Sequence, residues 1–192
     1  MRYFKNALVI YYSRSGNTRK AAQAIAERLG CDIEQIKSKV TYGMRFFGFQ
    51  RALAHALLKR KPRMEPLQKN LKDYDLIIVA SPVWAGTMAA PVRTFFSKYK
   101  KSIKRVAFFL TQGGTYGRED ALYQMRQEVG MTPESIFVMS QKDFEKSSFE
   151  KEITLFCSDF RKESREPQKK PNSIPIEVTQ TKSSSVDREL RH

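Results

Sequence analysis

The sequence predicts an α/β fold in which a five-stranded parallel sheet carries helices on both faces. Short apolar segments at roughly 6–12, 32–37, 75–80, 105–111 and 135–140 have the length and β-branched content of buried strands. Amphipathic stretches separate these segments, and such alternation is typical of parallel sheets with helical crossovers. Because crossovers of this kind are right-handed, few sheet topologies remain.

The first predicted strand ends in a loop rich in short polar side chains. The loop consists of Ser13, Arg14, Ser15, Gly16, Asn17 and Thr18, and a helix is predicted from Thr18 to Leu29. Unpaired amides and the helix dipole attract an anion to a helix N-terminus, and glycine allows a ligand to approach the backbone closely. An anion site is one interpretation, and a helix start whose polar residues serve only as caps is the other.

Two further loops follow predicted strands in the same way. The loop after the third strand contains Ser81, Pro82, Val83, Trp84, Ala85 and Gly86, before a helix predicted from about Ala89 through Tyr99. The loop after the fourth strand contains Thr111, Gln112, Gly113, Gly114, Thr115, Tyr116 and Gly117, before a helix predicted over roughly Arg118 to Val129. Trp84 is the single tryptophan, and the flanking Pro82 and Gly86 favour a ring presented by a loop over a core position.

Taken together, these three loops resemble the cofactor-binding loops of flavodoxins and related FMN proteins. The segment from Ser13 to Thr18 is similar to the loop that wraps the FMN phosphate in that family. Trp84 and Tyr116 fall where flavodoxins place an aromatic ring on each face of the flavin. The resemblance covers about residues 4–162 and implies a flavodoxin-like three-layer sandwich with strand order 2-1-3-4-5. It also implies FMN as cofactor, with backbone amides at the edge of its ring around Ala85, Gly86, Gly113 and Gly114.

The resemblance leaves the reaction open between two flavin chemistries. Flavodoxin electron carriers surround the ring with acidic residues and commonly have glycine directly after the loop aromatic, whereas this chain is basic and has Ala85 there. A Cβ at this position disfavours a positive φ, which some forms of the one-electron state need. We therefore expect two-electron reduction of a small-molecule acceptor, with NADPH or NADH as donor and no assigned catalytic side chain. A carrier serving a redox partner protein is the alternative.

Positive charge is concentrated in two stretches of the chain, whose formal net charge is +15. Residues 35–64 and residues 76–118 contain no acidic residue, and in the expected topology their helices lie on one face. Their basic residues are Lys37, Lys39, Arg45, Arg51, Lys59, Arg60, Lys61 and Arg63, and Arg93, Lys98, Lys100, Lys101, Lys104, Arg105 and Arg118. This basic face would suit an anionic partner: a membrane surface, a nucleic acid or NADPH. A flavodoxin-fold binding module that uses this face on a membrane or a nucleic acid is therefore a further alternative to an oxidoreductase.

The segment around residues 45–60 is both basic and amphipathic. Such a segment is typical of a helix lying on a membrane surface, but also of a crossover helix whose apolar stripe covers the sheet. Its aromatic cluster, Phe46, Phe47 and Phe49, precedes the regular stripe and could instead cover the flavin site as a lid.

Residues 1–162 are predicted to form one domain, and residues 163–192 a polar, disordered tail. The fifth helix is predicted over Phe144 to Arg161, with Phe149, Ile153, Phe156 and Phe160 as its apolar stripe.

Several functional classes are disfavoured by what the sequence lacks. Two isolated cysteines, no signal peptide and no long apolar run predict a cytoplasmic protein with reduced thiols and no transmembrane segment. Two histidines, His55 and His192, argue against a zinc site or a histidine-dependent triad, and no metal is expected. No Gly-Lys-Ser or Gly-Lys-Thr occurs, and one glycine after the first strand is too few for a dinucleotide fingerprint.

Overall fold

A parallel sheet forms the centre of the fold in the computed structural model, which describes residues 2–43, 46–114, 116–144 and 148–162. The strands are β1 (Arg2–Phe4), β2 (Ala7–Tyr11), β3 (Asp32–Gln35), β4 (Leu76–Trp84), β5 (Thr87–Met88), β6 (Val106–Gln112), β7 (Ile136–Ser140) and β8 (Phe160–Lys162). The helices are α1 (Asn17–Leu29), α2 (Phe46–Leu57), α3 (Ala90–Tyr99), α4 (Arg118–Val129), α5 (Gln141–Phe144) and α6 (Ser148–Ser158).

The order of the central strands is β3-β2-β4-β6-β7, and all four pairings between them are parallel. This arrangement confirms the predicted order 2-1-3-4-5. The central strands are nearly continuous apolar runs because helices cover the sheet on both sides: Val9, for example, is fully buried and pairs with Ile33 on one side and Ile78 on the other.

Each face of the sheet has its own apolar core. Helices α2, α3 and α4 pack over Val79 and Phe108 on one face, where Phe96 of α3 lies in the same cluster. Helices α1 and α6 pack on the other, where Ile25 and Phe156 lie in one cluster with Phe109. Because the central strands are parallel, their carboxyl ends meet at one edge of the sheet, between the two apolar cores.

Strand β4 runs further than predicted. Ser81 to Trp84, predicted as a loop, continue the strand and turn back through Ala85 and Gly86 into β5. Pro82 does not end the strand, because β2 pairs with β4 only as far as Ala80, and at Ser81 and Pro82 the neighbouring strand is β6. Ala85 and Gly86 have φ of 47° and 72°, the positive values that a two-residue hairpin turn needs.

The predicted fifth helix is wrong in its extent. The structure has α5, α6 and then β8, with residues 145–147 outside the described part of the chain. Phe149, Ile153 and Phe156 form the buried stripe of α6 as predicted, but Phe160 is buried from a strand that pairs in parallel with β1. Residues 163–192 lie outside the described residues, so the domain boundary and the disordered tail stay predictions.

Helices α2 and α3 lie on the same face, but one predicted member of the basic face is buried. The Arg93 side chain is 2% exposed and donates to Glu128 Oε1 at 3.1 Å and to Gln124 Oε1 at 2.8 Å. Arg93 therefore joins α3 to α4 and adds no charge to the surface. In the described part of the chain, no helix is long and apolar enough to cross a membrane.

Candidate cofactor site

A cavity of about 320 Å³ opens at the carboxyl edge of the sheet, where β2, β4 and β6 end. The predicted site residues that line it are Arg14, Ser15, Asn17, Thr18, Pro82, Val83, Trp84, Ala85, Thr111, Gln112 and Gly113. The structure thus brings the three strand-end loops together, as a parallel sheet of this order requires. Its remaining lining residues are Phe49, Ala52, Leu53, Gln141 and Phe144.

The loop after β2 leaves the start of α1 available to an anion. Gly16, with φ of 103°, precedes the helix, and no described side chain caps the first turn, which holds no acidic residue. Ser13 Oγ accepts from the Gly16 N–H at 3.1 Å and so shapes the loop from within. The polar side chains of Ser15 and Asn17 line the cavity beside this helix end.

A buried hydroxyl pair connects this loop to the loop after β6. Thr18 Oγ1 and Thr111 Oγ1 are 2.7 Å apart, and both residues line the cavity. One hydroxyl donates to the other, which leaves the second proton for another acceptor. The pair therefore holds two walls of the cavity together and retains one donor.

Arg14 forms contacts across the mouth of the cavity. Its Nη1 donates to the Gly43 carbonyl at 3.4 Å, and its guanidinium carbon lies 5.5 Å from the centre of the Phe49 ring. The structure places Arg14 against Gly43, which precedes α2, and against Phe49 within α2. It is the one charged side chain among the described lining residues.

Trp84 lies between the cavity and a cluster of aromatic side chains. Its ring centre is 5.5 Å from that of Tyr12 and 5.2 Å from that of Tyr42, and the Tyr42 hydroxyl is 2.8 Å from His55 Nδ1. Burial raises the pKa of Tyr42 to about 12. Burial and the nearby Arg51 lower the pKa of His55. The cluster therefore supports Trp84 with neutral rings at neutral pH.

The model of the family described as Flavodoxin matches residues 6–157. The chain belongs to the flavodoxin family.

Solved structures give the same fold for this flavodoxin. It is 27% identical to a Lactobacillus acidophilus flavoprotein in complex with FMN, with 75% of this chain and 99% of that chain covered and a TM-score of 0.62. The apo form of a flavoprotein from the same organism is 28% identical over 74% of this chain and 96% of that chain, at a TM-score of 0.55. A Bacteroides eggerthii flavoprotein is 19% identical over 80% of this chain and 96% of that chain. Its TM-score is 0.63, and it supports the fold alone. No curated protein matches the chain.

Tyr116 is not where the resemblance places a second stacking ring. Its side chain is 91% exposed and does not line the cavity. Phe49 and Phe144 line the cavity instead, from α2 and from the end of α5. Phe49 was considered as part of a lid, whereas Gln141 and Phe144 were missed. Both follow the end of a strand, β7, and the rule that pointed to the other three loops would have found them.

The remaining predicted residues shape the loops without lining the cavity. They are Ser13, Gly16, Gly86 and Gly114. Ala85 lines the cavity with φ of 47°, so the expectation that its Cβ keeps it out of the left-handed region is wrong. The argument that this Cβ weakens a one-electron state therefore has no support in the structure.

Gln112 provides a test of whether a polar ligand fits the cavity of this flavodoxin. Its Oε1 is buried and has no hydrogen-bond partner among the described residues, although Gln112 lines the cavity. A buried acceptor without a partner costs about 1–3 kcal/mol. A ligand with an N–H group beside Gln112 would remove that cost, and an isoalloxazine ring has such groups. The residues present therefore fit a flavin.

Proposed function

We propose that this flavodoxin binds FMN in the cavity between its three strand-end loops and works as an oxidoreductase. The observation that carries the proposal is the convergence of a helix N-terminus, Trp84 and the unpartnered Gln112 Oε1 around one cavity. The similarity to the flavoprotein of known FMN complex supports the choice of ligand.

Each wall of the cavity has a distinct role in this proposal. The start of α1 binds the phosphate, with donors from Ser15, Asn17 and the free hydroxyl proton of the Thr18–Thr111 pair. Trp84, supported by Tyr12 and Tyr42, packs on the ring.

Neutral hydroxyl and amide donors suffice for the phosphate because the helix end supplies positive potential. Gln112 accepts a hydrogen bond from the edge of the ring. The apolar side chains of Val83, Leu53 and Phe144 keep water away from the remaining surface.

The charge around the cavity favours two-electron chemistry. Bound FMN would supply the hydride-transfer chemistry itself. Among the described lining residues Arg14 is charged and none is acidic, so the site favours negative charge on a ligand. On this basis we assign the protein to the reduction of a small-molecule acceptor, with NADPH or NADH as donor.

An electron carrier that serves a redox partner protein is the second candidate. One observation favours it: Ala85, next to Trp84, already has the left-handed conformation that flavodoxin carriers obtain with glycine. The Ala85 backbone therefore has the positive φ that its Cβ was expected to disfavour.

The cofactor proposal is tested by titrating the apo-protein with FMN and with riboflavin, followed by fluorescence quenching. We expect FMN to bind more tightly, since α1 and Ser15 have no partner in riboflavin. Ser15→Ala should weaken FMN by about 1–3 kcal/mol, through a lost charge-assisted hydrogen bond, and leave riboflavin unchanged. Ser97→Ala, an exposed change on α3, is the matched control. Equal affinity for the two ligands would overturn the assignment of the phosphate site.

A further inference from the structure

Helix α2 buries two small side chains, while several of its large apolar side chains are exposed. Ala52 and Ala56 are buried against the sheet, at 2% and 0% exposure. Phe47 and Leu57 are 81% and 58% exposed, and Leu58 in the next turn is 64% exposed. A crossover helix that only covered the sheet would bury its large residues, whereas Phe47, Leu57 and Leu58 keep most of their side-chain surface in solvent.

At position 48, on the same side of α2 as Ala52 and Ala56, there is no room for a side chain. A Cβ added to Gly48 would lie 2.2 Å from the Gly43 carbonyl oxygen. The exposed residues lie on the opposite side of the helix, because Phe47 and Ala54 are seven residues apart and Leu58 is four further on. They form one apolar stripe, which we call the outer stripe: Phe47, Ala54, Leu57 and Leu58.

Basic residues flank the outer stripe along the chain. No acidic residue occurs between residues 35 and 64, and the exposed cations here are Arg51, Lys59, Arg60, Lys61 and Arg63. Lys61 lies 3.7 Å from Glu128 yet stays 47% exposed. Exposed apolar side chains within a field of one charge mark an interaction surface.

The same helix forms a wall of the cofactor cavity. Phe49, Ala52 and Leu53 line the cavity, while the outer stripe lies on the other side of α2. A partner bound to the outer stripe would therefore lie about one helix diameter from the cavity.

We infer that the outer stripe of α2 and its surrounding cations dock this protein on an anionic phospholipid surface. Phosphate headgroups complement the cations, and Phe47, Leu57 and Leu58 enter the boundary between headgroups and acyl chains. A nucleic acid would also match the charge, but would leave the aliphatic side chains exposed to water. The inference does not depend on FMN.

The test measures the flotation of the full chain with lipid vesicles. We expect binding to phosphatidylcholine vesicles that contain phosphatidylglycerol and little binding to phosphatidylcholine alone. Replacing Arg51, Lys59 and Arg60 by glutamine should weaken binding by about fivefold per cation. Phe47→Ser with Leu58→Ser should weaken it by at least about tenfold. The matched controls are Tyr123→Ser with Leu155→Ser, and Lys151→Gln with Arg161→Gln, two exposed cations in α6 and β8, and they should bind as the parent does.

A second measurement needs no variant. Amide hydrogen exchange across residues 46–57 should slow when anionic vesicles are added and stay unchanged with phosphatidylcholine. Absence of flotation would overturn the inference, as would equal binding to both vesicle types. If the serine variant binds as the parent does, while single-stranded RNA displaces the protein from vesicles, the surface serves a nucleic acid and the inference is wrong.

Discussion

Gly86 and Gly117 pack backbone against backbone: a Cβ added to Gly117 would lie 2.3 Å from the Gly86 Cα atom. Both have positive φ, 72° and 85°. Gly86 belongs to the β4–β5 turn that follows Trp84, and Gly117 precedes α4. The contact therefore sets how closely two of the three loops at the cavity approach each other.

Gly117→Ala should destabilise the protein by about 2–4 kcal/mol, because the new Cβ meets Gly86 and the left-handed φ adds strain. Urea denaturation of the apo-protein measures this change. Gly114→Ala is the control: a Cβ there meets nothing within 4 Å, so its effect should stay within about 0.5 kcal/mol. Equal midpoints for the two variants would show that the loops do not pack as described.

Ala85→Gly should stabilise the protein by about 0.5–1 kcal/mol. Releasing the left-handed strain of Ala85 gains about 1–2 kcal/mol, and the greater freedom of glycine in the unfolded chain removes part of that gain. Ala54→Gly, in the exposed middle of α2, should change stability in the opposite direction by about 1 kcal/mol. Thermal unfolding of both variants measures the difference, and a loss of stability in Ala85→Gly would contradict the hairpin geometry.

The strand order and the location of the cavity could be predicted because both depend on periodicity along the chain. Alternating apolar segments define parallel strands, and polar residues directly after them identify the edge where a ligand binds. The position of Tyr116 could not be predicted this way. The end of a strand defines the position of the following loop to within a few ångströms. The local backbone angles of that loop then decide the direction of the Tyr116 ring.

The side of helix α2 that faces the sheet could not be predicted from the sequence either. Its apolar residues cover most of its circumference, so periodicity could not tell which of them face the sheet. The close contact of Gly48 with Gly43 is one such determinant, because it leaves no room for a side chain at position 48. A contact between two glycines leaves no hydrophobic signal in a sequence.

Gln112→Leu should separate ligand binding from stability. It removes the unpartnered Oε1, so the apo-protein should keep its stability or gain up to about 1 kcal/mol, while FMN should bind about 1–3 kcal/mol more weakly. Gln124→Leu should show the opposite pattern, since Gln124 accepts from the buried Arg93 and does not line the cavity. Unfolding curves and FMN titrations of both variants measure the two effects. If Gln112→Leu binds FMN as tightly as the parent does, Gln112 Oε1 does not bind the flavin and this role is wrong.

Trp84→Ala should weaken FMN binding by about 1–3 kcal/mol, by analogy with the stacking of bases on aromatic rings, and Trp84→Phe should recover most of the loss. Tyr116→Ala should have a much smaller effect, because its ring is 91% exposed outside the cavity. Quenching of flavin fluorescence reports all three affinities. An equally large effect of Tyr116→Ala would mean that its loop moves onto the ligand, and an unchanged affinity in Trp84→Ala would make Trp84 a core residue only.

An anaerobic titration with dithionite, followed by absorbance, should distinguish the reductase from the electron carrier. Because Ala85 already has a left-handed conformation, the expected result depends on the charge around the flavin. Among the described lining residues Arg14 alone is charged, and its charge favours the fully reduced, anionic flavin. We expect oxidised and fully reduced spectra with at most a minor one-electron form. Arg14→Gln should make full reduction less favourable by about 1 kcal/mol and raise that minor form.

NADPH should bleach the flavin without a partner enzyme, at a rate that falls with ionic strength because the basic face attracts the dinucleotide. Lys37→Gln, a change of one exposed cation, should reduce that salt dependence slightly and leave the dithionite titration unchanged. A stable, near-stoichiometric one-electron form that does not react with NADPH would instead make the protein an electron carrier. In that case the left-handed Ala85 would be the feature that allows it, and Ala85→Gly should leave the one-electron form as abundant as in the parent.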